Sequence, residues 1–143
     1  MKRLIFAFLF SCFLPHVCAQ NASGLWQGQW TSPEGYIFNF VMDIDQHADN
    51  SIEGFINWQF VAAPENNLYY EDKKGKEAVE YIRGTISGNQ VSVQGYESDD
   101  PYLIISLDKY QLTFDEGFSS FKGITRNHGT WNGRMDGVKI NIP

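Results

Sequence analysis

Apolar and polar residues alternate one by one along most of this chain, and no stretch keeps the spacing of an amphipathic helix. Over Leu25–Thr31, Trp26, Gly28 and Trp30 share one side, while Leu25, Gln27 and Gln29 share the other. Ser32-Pro33-Glu34-Gly35 breaks the run as a turn. Tyr36–Asp45 then sets Tyr36, Phe38, Phe40, Met42 and Ile44 on one face. Beyond a turn at Gln46–Asn50, Ile52, Gly54, Ile56, Trp58 and Phe60 repeat the pattern. Gly88-Asn89 joins Ala78–Ser87 to Gln90–Glu97 as a two-residue hairpin. After a turn at Ser98–Pro101, Tyr102–Asp115 reads as one long strand bent near Asp108. Glu116-Gly117 leads into Phe118–Arg126, and Asn127–Gly129 into Thr130–Gly137.

Eight strands joined by short turns predict an all-β fold, a single eight-stranded antiparallel up-and-down β-barrel that leaves no open edge. A sandwich of six to nine strands is the alternative. Closure makes the first and last strands neighbours. GLWQGQW (Gly24–Trp30) and GTWNGRMDG (Gly129–Gly137) both carry glycine beside tryptophan, with Trp131, Gly133 and Met135 on one face of the second. Such glycines make room for indoles to lie across a seam. The tryptophans therefore read as closure devices before they read as chemistry.

The opening residues change the compartment. Lys2 and Arg3 precede an apolar run, Leu4–Leu14, and Val17-Cys18-Ala19 offers small residues for cleavage before Gln20. This is the pattern of a signal peptide over residues 1–19, leaving residues 20–143 as one barrel domain that is secreted or periplasmic. The run is too short to span a bilayer. Both cysteines, Cys12 and Cys18, leave with the leader, so the exported domain is held by burial alone. The formal net charge of −6 becomes more negative once Lys2 and Arg3 are gone. An acidic surface of that kind argues against nucleic acid and anionic membrane as partners. The simplest state is a monomer.

These features together resemble the calycin architecture of lipocalins, fatty-acid-binding proteins and avidins. Gly24-Leu25-Trp26 is similar to the G-x-W of the first lipocalin strand, whose tryptophan closes the barrel floor. The resemblance implies a late arginine packed on Trp26, a part open to Arg134 or Arg126. Asp108-Lys109-Tyr110 is similar to the T-D-Y stretch of that family without its threonine. The exported domain is expected to lack the family's disulfide, and no helix is expected after its last strand.

An eight-stranded barrel either fills its interior with side chains or holds one small ligand, and both outcomes stay open here. The inward set suits a flat or apolar ligand contacted by Phe38, Phe40, Trp58, Tyr69, Tyr70, Tyr110 and Trp131, with Trp26 and Arg134 reserved for closure. Tyr69 and Tyr70 enter this set from the long connection Val61–Glu77, where Leu68-Tyr69-Tyr70 would form a sticky patch unless folded over the barrel mouth or presented as a contact surface. Glu80 is a further oddity. It shares a strand face with Ile82, Gly84 and Ile86, so it points inward and needs a partner such as Lys122, Arg126 or Arg134, unless the register slips.

Catalytic chemistry finds no support. There is no nucleophile elbow, no cysteine after export and no phosphate loop. His47 and His128 fall at opposite barrel ends and cannot share an ion, and acidic turns such as Glu34 and Asp99-Asp100 lack calcium-loop spacing. No metal and no cofactor is expected. The expected function is non-catalytic binding of a small apolar or aromatic ligand, or else an interaction or inhibitor module that contacts a secreted protein through the loops at one barrel end.

Overall fold

A computed structural model describes residues 21–126 and 132–142, with Leu68 and Tyr69 described by their backbone only. Eight strands close into one antiparallel barrel in chain order. They are β1 (Gly24–Thr31), β2 (Ile37–Gln46), β3 (Ser51–Ala62), β4 (Glu77–Ser87), β5 (Gln90–Asp99), β6 (Lys109–Phe114), β7 (Ser120–Arg126) and β8 (Gly133–Lys139). The up-and-down barrel predicted from alternation is therefore the fold. Its inward positions include Phe38, Phe40, Met42 and Ile44 on β2 and Ile52, Ile56, Trp58 and Phe60 on β3, all buried.

The seam forms between β1 and β8, where Gly28 faces Gly137 and Trp30 faces Met135. Two glycines make this approach sterically feasible. A Cβ on Gly28 would lie 1.8 Å from the Asp136 carbonyl oxygen, and one on Gly133 would lie 2.1 Å from the Trp30 indole. The Gly-Trp alternation of the first strand thus serves closure. Trp131, expected at the same seam, lies outside the described residues, as does His128.

One barrel end is plugged. Trp26 is fully buried there, donates from Nε1 to the Ala22 carbonyl at 2.9 Å and meets Phe114 edge-on at 4.8 Å. The cation over its ring is Lys139, at 5.3 Å. Arg134 sits elsewhere: it pairs with Thr31 and Ile124 on the outer face and is exposed. Alternation along β8 explains the difference, because Gly133, Met135 and Gly137 take the inward positions and Arg134 the outward one.

The opposite end carries the longer connections, and there the structure departs from the expected strands. Tyr102–Asp108 is not part of a strand; β6 begins only at Lys109. The apolar run Leu103-Ile104-Ile105 looks like strand, but both Asp100 carboxylate oxygens accept from its backbone, from Ile104 N at 3.0 Å and Ile105 N at 2.9 Å. Leu103 takes a left-handed φ of 54°. A local side-chain acceptor has displaced ladder pairing. The connection after β3 is shorter than expected, since Val61 and Ala62 remain in the strand and Leu68–Lys73 forms a 3₁₀ helix.

Candidate functional site

Beneath that second end lies a small cavity of about 30 Å³ lined by Trp30, Phe38, Trp58, Glu80, Ile104, Ile105, Ser106, Asp108 and Tyr110. Its walls come from β1 to β4 and β6, and its cover is the loop after β5. Strand periodicity supplies the aromatic walls, since Trp30, Phe38, Trp58 and Tyr110 all occupy inward positions. Trp58 stacks on Tyr110 with ring centres 6.3 Å apart, and Phe38 meets Trp30 and Trp58 edge-on at 5.6 and 6.0 Å. Trp30 is fixed across β8 by donating its Nε1 hydrogen to Thr125 Oγ1 on β7 at 2.7 Å.

Glu80 is the polar centre of this site and is fully buried. Its Oε2 accepts from Trp58 Nε1 at 3.0 Å and from the Tyr110 hydroxyl at 2.5 Å, while its Oε1 accepts from the Asp108 backbone N–H at 3.0 Å. These three donors are neutral groups, not the lysine or arginine that a buried carboxylate was expected to require. Burial pushes the Glu80 carboxyl above its usual range, and the bonds from Tyr110, Asp108 and Trp58 oppose that rise. Burial likewise pushes the Tyr110 phenol well above 10, reinforced by the Glu80 and Asp108 charges, so Tyr110 stays a donor at neutral pH.

Space for the Glu80 head comes from β5. The register between β4 and β5 shifts by one residue, so that Tyr81 faces Glu97 but Ile82 faces Gly95. The bulge turns Gly95 toward the carboxylate, where a Cβ would stand 1.9 Å from Glu80 Oε1. Gly95 N also donates to the Asp108 carbonyl at 2.8 Å, which ties the start of β6 to the same point.

Of the residues expected to contact a ligand, Phe38, Trp58 and Tyr110 meet at this cavity. Phe40 is buried deeper, between Trp58 and Phe121. Tyr70 packs beside the mouth, edge-on to Tyr36 at 5.5 Å and 5.6 Å from Phe60. The backbone of Tyr69 lies in the 3₁₀ helix, and Trp131 is outside the described residues. Alternation alone does not reveal Ile104, Ile105, Ser106 and Asp108 as a cover; the Asp100-Pro101 turn followed by an apolar run is the signal the sequence carries. Among the described residues, no group of three or more His, Cys, Asp or Glu is arranged to hold a metal ion.

No protein-family model matches this chain, and no curated protein matches it. Solved structures do. The chain is similar to a redesigned β-barrel, mFAP1, bound to DFHBI, with a TM-score of 0.60 and 13% identity over 85% of this chain and 100% of that one. A de novo designed fluorescence-activating β-barrel aligns with a TM-score of 0.56 and 11% identity over 82% of this chain and 93% of that one. A second redesigned barrel, mFAP0, also bound to DFHBI, aligns with a TM-score of 0.56 and 11% identity over 83% of this chain and 98% of that one. At such identities the likeness concerns the closed barrel.

Proposed function

We propose that this chain is an exported, non-catalytic, calycin-like binding protein that takes a small apolar or aromatic ligand at the loop end of its barrel. The observation that carries the reading is the cavity in which Trp30, Phe38, Trp58 and Tyr110 surround the buried carboxyl of Glu80. Aromatic walls with a few placed polar groups are what small-ligand sites use. The barrels of similar fold bound to DFHBI support it, and the signal-peptide pattern in the sequence of residues 1–19 supports export. A cavity of about 30 Å³ has room for little more than a water molecule, so a ligand enters by displacing the cover at Ile104–Ser106. That cover is fastened by Asp100 and by the Asp108 N–H to Glu80 rather than by a strand ladder. Such a segment opens at lower free energy than a strand.

Native mass spectrometry of protein purified from its own host tests the reading. The expected result is a bound small-molecule mass that Ser106→Trp, which fills the cavity mouth, removes without lowering the melting temperature. Retention of the same mass in Ser106→Trp places the ligand elsewhere and overturns the assignment. A second reading, docking of a secreted protein on the same loops, is favoured by the exposed side chains of Tyr102, Leu103 and Leu107, which are 45%, 71% and 40% accessible. Pull-down of a partner whose binding is lost in Leu103→Asp would support that reading instead.

A further inference from the structure

The outward charges of the barrel are sorted by wall. Lys109 on β6, Lys122 and Arg126 on β7 and Arg134 on β8 point outward, with Asp136 the one acid among them. Asp43 and Asp45 on β2, Glu53 on β3 and Glu97 on β5 point outward on the other side, with Arg83 the one cation among them. In the closed barrel β3 and β7 stand four strands apart whichever way the strands are counted, so the two walls face opposite directions.

Neither wall is neutralised locally. Among the described residues, none of the four basic-wall cations is in an ion pair. Residues 127–131, which follow Arg126, contain no Asp or Glu. On the acidic wall, Arg83 lies over the Tyr96 ring at 4.8 Å. Each wall also has an exposed apolar centre. Ile124, 42% accessible, sits between Lys122 and Arg126 on its own strand and faces Arg134 on β8. Strand register aligns Asp43, Phe55, Tyr81 and Glu97 in one row across β2 to β5, and Phe55 and Tyr81 are each 38% accessible.

We propose that these walls bind each other between copies, a second copy of this chain laying its Lys122–Arg126 stretch across the Asp43–Glu97 row of the first. Lys122 and Arg126 are four residues apart on β7, about 13 Å along a strand. Asp43 and Glu97 are three strand spacings apart, about 14 Å. A right-angled crossing therefore sets each cation over an acid and Ile124 over Phe55 and Tyr81. Of the two such crossings, the one that turns Arg134 toward Glu53 and away from Asn57 adds a further opposite pair. An apolar centre inside a polar rim is the ordinary anatomy of a protein interface. A flat anionic membrane fits less well, because it meets the acidic remainder of the chain along with the basic wall. Since the walls face opposite ways, the contact does not close as a dimer and continues from copy to copy. It departs from the monomer expected of the sequence, and it lies outside the barrel, so it stands or falls apart from the cavity.

Sedimentation equilibrium of the exported protein tests this. At about 0.1 M salt the screening length is about 10 Å, so facing walls interact while the remaining acids of two copies are largely screened. The expected weight-average mass rises about twofold or more between micromolar and millimolar protein. It falls back to one copy at about 1 M salt, where the screening length is about 3 Å. Lys122→Glu with Arg126→Glu should remain a single copy, and so should Asp43→Lys with Glu97→Lys. An equal mixture of the two should associate again, because acidic walls then meet basic ones. All four sites face outward, melting temperatures check that each variant is folded, and the salt series on wild type needs no variant. Wild type that stays at one copy at millimolar concentration overturns the proposal. Association that survives about 1 M salt, or that either variant alone shows as wild type does, overturns it too. A mixture that stays at one copy overturns the pairing of these residues.

Discussion

The Tyr110 hydroxyl on β6 reaches Glu80 Oε2 on β4 at 2.5 Å, across the intervening strand β5, between two side chains that are both buried. The bond passes over Gly95, which leaves the gap it needs. Tyr110→Phe keeps the ring and its stacking on Trp58 while removing this donor. A hydrogen bond to a carboxylate contributes about 1.5–3 kcal/mol, and urea unfolding should show a loss of that size. Gly95→Ala should lower stability through the same contact, by pushing the carboxylate off its donors. Unchanged unfolding midpoints in both variants would show that the cluster contributes no net stability.

The same carboxyl predicts a pH dependence with a definite sign. Its folded-state pKa lies above the 4.5 usual for a glutamate, with burial as the main cause. Between 4.5 and the raised value, the folded chain keeps a proton that the unfolded chain has released. Stability contributed by this group is therefore full below that window and falls as pH rises through it. The opposite sign belongs to Asp115, which Ser119 and Ser120 hold down from 3.8 to about 2 by side-chain and backbone bonds, so its contribution is full above 3.8 and is lost as pH falls from there through about 2. Unfolding midpoints of wild type minus Glu80→Gln should decline upward from about pH 4.5 and then level off. A difference that rises with pH over that range would mean the donors outweigh the burial.

Alternation along the chain was sufficient for the barrel because a half-buried strand leaves a period of two in its sequence, and the tight hairpin at Gly88-Asn89 fixes its own register. The inward direction of Glu80 was legible by the same rule. Its partners were not, because Trp58 and Tyr110 are 22 and 30 positions away and the third donor is a backbone N–H. The cover of the cavity was hidden for a different reason. Leu103, Ile104 and Ile105 have strand composition, and only the Asp100 side chain, bonded four and five residues ahead, turns them into a loop. Closure residues were half legible: Trp26 takes an inward position on β1 and plugs one barrel end, while the cation above it comes from Lys139, at a position where only strand register could have placed it.

The seam glycines give a steric prediction with an internal control. Gly28→Ala drives a methyl into the Asp136 carbonyl of β8, an atom that cannot rotate away. Overpacking of this kind costs about 1–3 kcal/mol or more, here by prising β1 from β8. Gly117→Ala meets nothing within 4 Å and should leave stability unchanged or slightly raised. Hydrogen exchange on Gln27 and Gln29 should accelerate in Gly28→Ala and not in Gly117→Ala. Equal behaviour of the two variants would show that the seam tolerates a wider spacing.

Burial of Trp26 predicts a large loss on truncation. Its indole is fully enclosed by Ala22, Phe114 and Phe121 at the plugged end. Trp26→Ala should cost about 3–5 kcal/mol. Because this plug lies at the end away from the cavity, any folded fraction should still bind the ligand. Lys139→Met keeps most of the covering chain and removes only the charge, so about 0.5–1 kcal/mol is expected there. A melting curve of Trp26→Ala that matches wild type would require the barrel floor to close in some other way.

Tyr70 separates a lid from a brace. Its ring is half-buried, edge-on to Tyr36 and tilted against Phe60, while Asn67 Nδ2 donates to the Tyr36 hydroxyl at 2.6 Å in the same cluster. Gly75 N and Lys76 O bond the Phe60 backbone at 2.8 and 2.9 Å, so the connection is stitched to the end of β3 from both sides of the ring. Tyr70 does not line the cavity. A brace loses packing when truncated, and a half-buried aromatic carries roughly half the 3–5 kcal/mol of a fully buried one, so Tyr70→Ser should cost about 1.5–2.5 kcal/mol. Affinity for the retained small molecule, read from the Trp58 indole signal, should then change by less than about tenfold once measured well below the melting transition. The reverse pattern, lost affinity with an unchanged melting temperature, would make Tyr70 a lid and move the mouth of the site from the Ile104–Ser106 loop to the 3₁₀ helix.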